Sequence, residues 1–338
     1  MITIALNGFG RIGKNFLRIL CEDPEAHTYI TIKAINMGPA DPRTLEYMIR
    51  YDSILGTYAG SMSFDGSVLL IGKYIINVYA QTDATKLPWK SLGIDWVVEV
   101  SGHYTERTLA QHHIDAGAHA VLISAPASGE DITIIPGVNE QLFDKNKHTI
   151  VSLGSCTTNA VVPLLHVIQN SFGIESAMMN TAHAYTNTQE LLDVNASHDD
   201  MRRSRAAAVN IVPSTTGAMK VVERVLPELK GLLGGCALRV PVDVVSIVDL
   251  TFIARTDIST QKITQTFVTA SQNQLRGVLA TSTEPLVSSD YKGNAYSVTV
   301  DIPLTSVVGR LGKVFGWYDN EYGYSCRLKD FLLMVARK

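Results

Sequence analysis

The sequence predicts two α/β domains: a doubly wound, mostly parallel sheet, then an α+β unit with a mixed or antiparallel sheet. Three observations predict this. Short apolar runs alternate with helix-like segments through the first half, a glycine-rich turn follows the first run, and longer strands take over beyond about residue 154. The 338 residues suffice for two domains at about 150 residues each.

Each element follows from its residues. Ile2 to Leu6 is a buried strand, and Ile12 to Leu20 carries apolar residues at helical spacing. Tyr29 to Ile35 is a second strand rich in β-branched residues. Ile75–Tyr79, Trp96–Val100, Ala120–Ser124 and Thr149–Leu153 read as further strands, with a helix over Thr105–Ala116. In the second half Asn159–Ser171 is a predicted helix, with Pro163 tolerated in its first turns. Ala184 to Ser204 is a long polar stretch, a length usually reserved for function. Helices follow at Lys220–Leu229 and Ile263–Leu275, and strands at Leu238–Val240, Val244–Arg255, Ser297–Asp301 and Lys313–Tyr318. An amphipathic helix, Tyr324–Lys338, closes the chain.

Composition excludes several classes. An apolar fraction of 46% against 18% charged residues supports a core rather than disorder. With 29 basic and 32 acidic residues the formal charge is −3, which gives no drive toward nucleic acid or acidic membranes. Four scattered cysteines, with no Cys-x-x-Cys pair, predict neither a disulfide framework nor a structural zinc site, and no metal is expected. The first residues read as a strand rather than a leader, and no apolar run reaches about 18 residues, so a cytoplasmic chain outside the membrane is expected.

Gly8-Phe9-Gly10-Arg11-Ile12-Gly13 fits G-x-G-x-x-G after a predicted strand and before a predicted helix. The first glycine allows the turn, the second lets backbone approach a pyrophosphate, and the third permits close helix–strand packing. This marks a Rossmann-type dinucleotide site, with a merely structural glycine turn as the alternative. A carboxylate that would hold NAD ribose hydroxyls is missing from the end of the second strand, Asn36-Met37-Gly38. That removes a barrier to NADP, whose 2′-phosphate Arg43 is placed to meet unless it is a solvated loop residue.

Ser155-Cys156-Thr157 lies at a strand-to-helix turn, where the helix dipole is expected to lower the thiol pKa. Cys21, Cys236 and Cys326 lie in or beside apolar segments and read as structural. Among nine histidines, His183 stands out at a strand end and the start of the polar loop; whether it reaches Cys156 is left open by spacing. His112 and His113 read as part of a polar helical face. Arg202, Arg203, Arg205, Ser214–Gly217 and Arg239 are candidate anion binders. Arg239 interrupts an apolar strand, which alternatively implies a structural ion pair with Asp249 or Glu228.

Together these features resemble the phosphorylating glyceraldehyde-3-phosphate dehydrogenase family over nearly all 338 residues. The motifs are NGFGRIG, SCTTN around Cys156, HAYTN from His183, RAAAVNIVPSTTGAMK, LPELKG, ALRVP and WYDNEYGYS, in that order. The resemblance implies a nucleotide domain of residues 1–154 with 320–338 returning to it, and a catalytic domain of 155–319. It implies Cys156 as nucleophile and His183 as base, with glyceraldehyde 3-phosphate and inorganic phosphate as substrates. Thr186 and Arg239 are implied for the substrate phosphate. Ser155, Thr157, Arg203, Thr216 and Gly217 are implied for the attacking phosphate. Cofactor contacts are implied for Gly8, Gly10, Arg11, Ile12, Gly13, Asn36, Met37, Ser124 and Asn320. A homotetramer is implied, with loop 184–208 near a neighbour's cofactor. Met37 departs from the family's usual Asp, and Ala196-Ser197-His198 is similar to NADP-using members, so NADP acceptance beside NAD is expected. Thr188 also replaces a usual Asp. Erythrose-4-phosphate dehydrogenase is the alternative on the same scaffold, and a non-catalytic dinucleotide-binding protein is a third.

Overall fold

The computed structural model describes residues 1–195 and 200–337. They form two compact units: Met1–Ser155 with the C-terminal stretch from Ser325, and Cys156–Tyr324.

The first unit opens with β1 (Ile2–Asn7), α1 (Arg11–Glu22), α2 (Pro24–Tyr29) and β2 (Ile30–Asn36). Then come α3 (Leu45–Arg50) and the short strands β3 (Met62–Phe64), β4 (Val68–Ile71) and β5 (Tyr74–Tyr79). They are followed by α4 (Trp89–Leu92), β6 (Trp96–Glu99), α5 (Arg107–Asp115), β7 (Ala120–Ile123), β8 (Ile132–Thr133) and β9 (Ile150–Ser152). Among the described residues these make one sheet in the order β3-β4-β5-β2-β1-β6-β7-β9-β8. Pairing is parallel from β5 to β8 and antiparallel only at the β3–β4–β5 edge. The central strands β6 and β7 are buried along their whole length, as a sheet covered on both faces requires.

The second unit begins with α6 (Cys156–Phe172) and β10 (Ile174–Ala184), then β11 (Val212–Ser214), α7 (Ala218–Val225), β12 (Leu233–Val240) and β13 (Ser246–Ala254). It continues through α8 (Thr260–Gln272), β14 (Leu279–Ser282), β15 (Val298–Val308), β16 (Leu311–Tyr318) and the start of α9 (Tyr322–Arg337). Its mixed sheet runs β11-β12-β10-β13-β16-β15-β14 among the described residues. The helix α6 starts at Cys156, three residues before the expected start, so Pro163 lies inside it rather than in its first turns. Pro163 has no N–H to offer the preceding turn, and that interruption is held within a nearly continuous buried face.

From Ser325 onward α9 belongs to the first unit. Phe331 sets its ring 5.6 Å from Trp96 and 5.2 Å from Phe143, while Lys329 pairs with Asp23. Burying a ring such as Phe331 contributes roughly 1.5–3 kcal/mol. No helix among the described residues is long and apolar enough to cross a membrane.

Candidate active site

The fingerprint turn is shaped by contacts that only glycine tolerates. Gly8 has φ +101°, and a Cβ there would lie 2.5 Å from the Ser101 nitrogen. At Gly13 a Cβ would lie 2.9 Å from the Gly8 carbonyl oxygen. Gly10 differs: a Cβ there would project into open space, and Gly10 caps α1 with no side chain and no acidic residue in the first turn. A helix N-terminus of this kind favours an anion.

Gly8, Gly10, Asn36 and Met37 line a cavity of about 850 Å³, with Pro39, Met48, Gln81, His103, Tyr104 and His112 among its other walls. That volume suits a small-molecule site of about 300–1,000 Å³. Arg11, Ile12, Gly13 and Ser124 stand outside its lining. Arg11 instead pairs with Asp52, which also accepts Lys14 at 2.8 Å, and Ser124 donates its N–H to the Glu99 carbonyl at 3.0 Å. Met37 is 6% exposed. The solvated-residue alternative for Arg43 fits best: its Nε–H is shared between the two Asp41 carboxylate oxygens at 2.9 and 3.1 Å, and Nη2 lies 2.7 Å from Oδ2. Ala196-Ser197-His198 lies outside the described residues.

A polar network beneath this cavity went unread in the sequence. Trp89 Nε1–H donates to His113 Nδ1 at 3.1 Å, which leaves the proton on Nε2 to face Glu99 Oε2 at 3.2 Å. Asn7 Nδ2 donates to the same oxygen at 2.6 Å, and Glu99 Oε1 accepts both Ser101 N–H and Oγ–H. Asn36 then donates to Asn7 Oδ1 at 2.7 Å and accepts Gln81 N–H. His113 is fully buried, contrary to its expected polar face. The available signal was Glu99, a lone carboxylate ending an apolar strand.

In the second unit Cys156 opens α6, which packs against β10, β13 and β16. Along β10 the side chains of Met179, Thr181 and His183 are buried at every second position, as a pleated strand demands. His183 Nε2 comes within 3.5 Å of Cys156 Sγ. The parallel register sets His183 opposite Arg239 of β12. Arg239 Nη1 meets His183 Nδ1 at 2.7 Å and the Ala184 carbonyl at 3.3 Å. Arg239 is therefore not tied to Asp249, whose partner is Lys313 at 2.9 Å.

Burial pushes the Cys156 thiol up, against the pull of the Arg239 charge and hydrogen bonds from Thr157. The expected net lowering at the helix start is thus overturned, because enclosure of the sulfur outweighs the local positive potential. Burial, reinforced by Arg239, lowers His183 to about 4, while the Ala184 carbonyl opposes it. At neutral pH the imidazole is therefore uncharged. Tyr318 bridges the pair's surroundings, its hydroxyl 3.1 Å from Thr157 Oγ and 2.9 Å from Thr181 Oγ.

The remaining predicted residues divide. Thr157 is buried beside the thiol, and Arg203 is close enough to press electrostatically on Arg239. Thr186 and Thr188 hydroxyls meet at 3.0 Å at the loop start. Thr216 Oγ accepts Ala218 N–H at 3.2 Å, and Gly217 caps α7. Asn320 is buried and accepts Ser246 Oγ–H at 3.2 Å, while Ser246 Oγ accepts Ala184 N–H at 3.0 Å. Ser155 closes the first unit's main segment. Next to Ser246, Val245 holds φ +72°, the only positive φ outside glycine among the described residues. Cys236 is exposed and Cys21 half-buried, so of the three expected structural thiols only Cys326 is buried. No cluster of three metal-ligating side chains exists among the described residues.

A doubly wound nucleotide unit and a second unit carrying a thiol–imidazole pair define a dinucleotide-dependent α/β oxidoreductase class. Residues 2–107 match the family model for the glyceraldehyde 3-phosphate dehydrogenase NAD binding domain, and residues 155–320 match that for its C-terminal domain. The chain is 44% identical to "Glyceraldehyde-3-phosphate dehydrogenase 1" of Bacillus subtilis (strain 168) over 338 residues, covering 100% of this chain and 99% of the relative. It is 44% identical, at the same coverage, to the Geobacillus stearothermophilus protein "Glyceraldehyde-3-phosphate dehydrogenase". It is 46% identical to the protein of that name from Kitasatospora aureofaciens, covering all of both chains. The chain belongs to the glyceraldehyde 3-phosphate dehydrogenase family.

Proposed function

We propose that this chain oxidises glyceraldehyde 3-phosphate and phosphorylates the product, reversibly giving 1,3-bisphosphoglycerate, in glycolysis or gluconeogenesis. The observation that carries this reading is Cys156 Sγ facing His183 Nε2 at 3.5 Å, with Arg239 on the far ring nitrogen. Cys156 Sγ attacks the aldehyde carbon: a carbon–sulfur bond forms, the C=O π bond opens onto oxygen, and the thiol proton ends on that oxygen as the hydroxyl of a thiohemiacetal. The neutral imidazole of His183 takes the proton released as the thiohemiacetal is oxidised, and its position beside the sulfur suits a general base. A bound dinucleotide supplies the hydride acceptor. Cys156 is left as an acyl thioester, whose carbon is attacked by an oxygen of inorganic phosphate; the carbon–sulfur bond breaks and the thiolate leaves.

Thr186 and Arg239 are assigned to the substrate phosphate, and Ser155, Thr157, Arg203, Thr216 and Gly217 to the attacking phosphate. The cavity floor of Gly8, Gly10 and Asn36 suits the dinucleotide, and Asn320 is assigned to the nicotinamide carboxamide. NADP acceptance beside NAD belongs to the same reading. Its support is Met37 in the cavity wall where a carboxylate would repel a 2′-phosphate. A cytoplasmic homotetramer completes it, and light scattering on the purified protein tests the assembly. The relatives compared carry the triose-phosphate name, and nothing in them favours erythrose 4-phosphate.

The test is an absorbance assay of NAD and NADP reduction with glyceraldehyde 3-phosphate, with and without inorganic phosphate. Phosphate-dependent turnover with both cofactors is expected. Turnover indifferent to phosphate, or a higher kcat/KM on erythrose 4-phosphate, overturns the reaction; a strong NAD preference overturns the cofactor assignment alone.

A further inference from the structure

Asn320 ends in an amide whose two halves have the same shape and opposite polarity, an acceptor Oδ1 and a donor Nδ2. The turn that carries it, between β16 and α9, is fastened through its backbone. Asp319 Oδ1 accepts the Glu321 and Tyr322 N–H groups at 2.9 and 2.8 Å, and Asp319 Oδ2 accepts Gly293 N–H at 2.8 Å. At Gly323 a Cβ would lie 2.6 Å from the Tyr296 carbonyl oxygen, so the first turn of α9 lies close against that loop. The Asn320 side chain is held at one end only. Ser246, which opens β13 opposite Tyr318 at the end of β16, sets its Oγ 3.2 Å from Asn320 Oδ1. Among the described residues none accepts from Nδ2, although Asn320 is only 5% exposed. A buried amide donor in that position calls for an acceptor from outside the chain.

We infer that Ser246 is a positioning residue for the dinucleotide: its hydroxyl locks the Asn320 amide with Oδ1 held and Nδ2–H₂ presented, so that donors meet the carboxamide oxygen of the nicotinamide. The hydroxyl can do this because its own direction is set. Ala184 N–H can only donate, so it takes a lone pair of Ser246 Oγ at 3.0 Å. The single Oγ proton is then turned onto Asn320 Oδ1. A flipped amide would aim Nδ2–H at the same oxygen and leave the hydroxyl proton without that acceptor. Tyr318 Oη, the other hydroxyl near Ser246, is engaged with the Thr157 and Thr181 hydroxyls at 3.1 and 2.9 Å. Ser246 is 1% exposed, so bulk water does not compete for its proton. The polarity is thus chosen before any ligand arrives, and a ligand whose ring carries a carbonyl is spared the cost of choosing it.

This rests on the assignment of Asn320 to the nicotinamide carboxamide, and the two failures are distinguishable. Calorimetry on the whole protein compares NAD with ADP-ribose, which lacks the nicotinamide ring, in the wild type, Ser246→Ala, Asn320→Ala and the double variant. Ser246→Ala is expected to weaken NAD about two- to tenfold and to leave ADP-ribose unchanged. The same factor is expected for the 3-acetylpyridine analogue of NAD, which keeps the carbonyl and lacks the amine. Once Asn320→Ala is present, Ser246→Ala should cost nothing further. An unchanged NAD affinity in Ser246→Ala, or equal losses on NAD and ADP-ribose, overturns the inference. A loss that persists in the Asn320→Ala background also overturns it, because Ser246 then acts through another group. A loss on NAD with the acetylpyridine analogue untouched does the same, because Asn320 then reads the amine. Asn320→Ala that leaves the preference for NAD over ADP-ribose unmoved overturns the assignment of Asn320 itself, and the inference with it. Should the Ser246→Ala chain not fold, Ser246→Cys, whose thiol donates only weakly, is read against the same outcomes.

Discussion

The two units each bury a histidine, and the two are handled in opposite ways. His113 in the first unit has one compatible partner for each nitrogen, Trp89 on Nδ1 and Glu99 on Nε2. His183 in the second has one nitrogen on the thiol and two incompatible partners on the other. A fully satisfied polar network rigidifies what it touches. Here it ties down Ser101, Asn7 and Asn36 beside the cavity at the glycine turn. His183 Nδ1 thus meets a donor and an acceptor at once, where each nitrogen of His113 meets a single partner.

The largest break in this contrast is Cys156→Ser. Loss of at least about 10⁴ in kcat is expected, since a nucleophile and its base act as a unit; dinucleotide affinity, read by fluorescence titration, should hold. Next is His183→Asn, expected to cost about 10²–10⁴ in kcat with little change in KM. The same variant sharpens the contrast through pH. The folded His183 titrates near 4 against an ordinary 6.5, so between those values the unfolded chain holds a proton that the folded chain refuses. Stability should therefore fall as pH drops through that window, and His183→Asn should flatten the slope in urea melts. A slope left intact would count against a neutral buried imidazole.

Glu99→Gln probes the satisfied histidine. Each Glu99 oxygen accepts from two sides, so an amide NH₂ must face a donor wherever it turns. A loss of about 1–3 kcal/mol is expected in denaturation. Dinucleotide KM should rise more than kcat falls; a kcat collapse with KM unmoved would sink the assigned division of labour. The smallest effect is Met37→Asp, expected to cut NADP kcat/KM about tenfold, on the order of 1.4 kcal/mol, and to leave NAD nearly untouched. Unchanged NADP use would remove Met37 from cofactor choice.

Much of this is legible in the residues alone. The parallel sheet announces itself because strands covered on both faces are uninterrupted apolar runs, as in Ala120–Ile123. The β3–β4 edge escaped because three- and four-residue strands with exposed positions carry no period. Strand β10 escaped over most of its length because Ile174–Ala184 is mostly Ala, Met and other residues that are not β-branched, with Ile174 and Thr181 its two β-branched positions. Within the candidate site, residue type pointed to Cys156 and His183, but their approach depends on helix-on-sheet packing that spacing does not encode. The Arg239 contact depends on strand register, and the thiol's upward shift on enclosure, neither of which is a local property.

Val245 has a wider meaning. A β-branched residue held at φ +72° stores roughly 1–3 kcal/mol that only the folded surroundings can contain. The tensioned joint sits one residue from the hydroxyl that fastens Ala184 and Asn320. Local opening here would relieve that strain, so the joint is expected to act as a fuse that lets go before the sheets melt. Hydrogen exchange would register that order, with the Ala184 amide opening ahead of its neighbours along β10; an amide as slow as theirs would mean the fuse is not there.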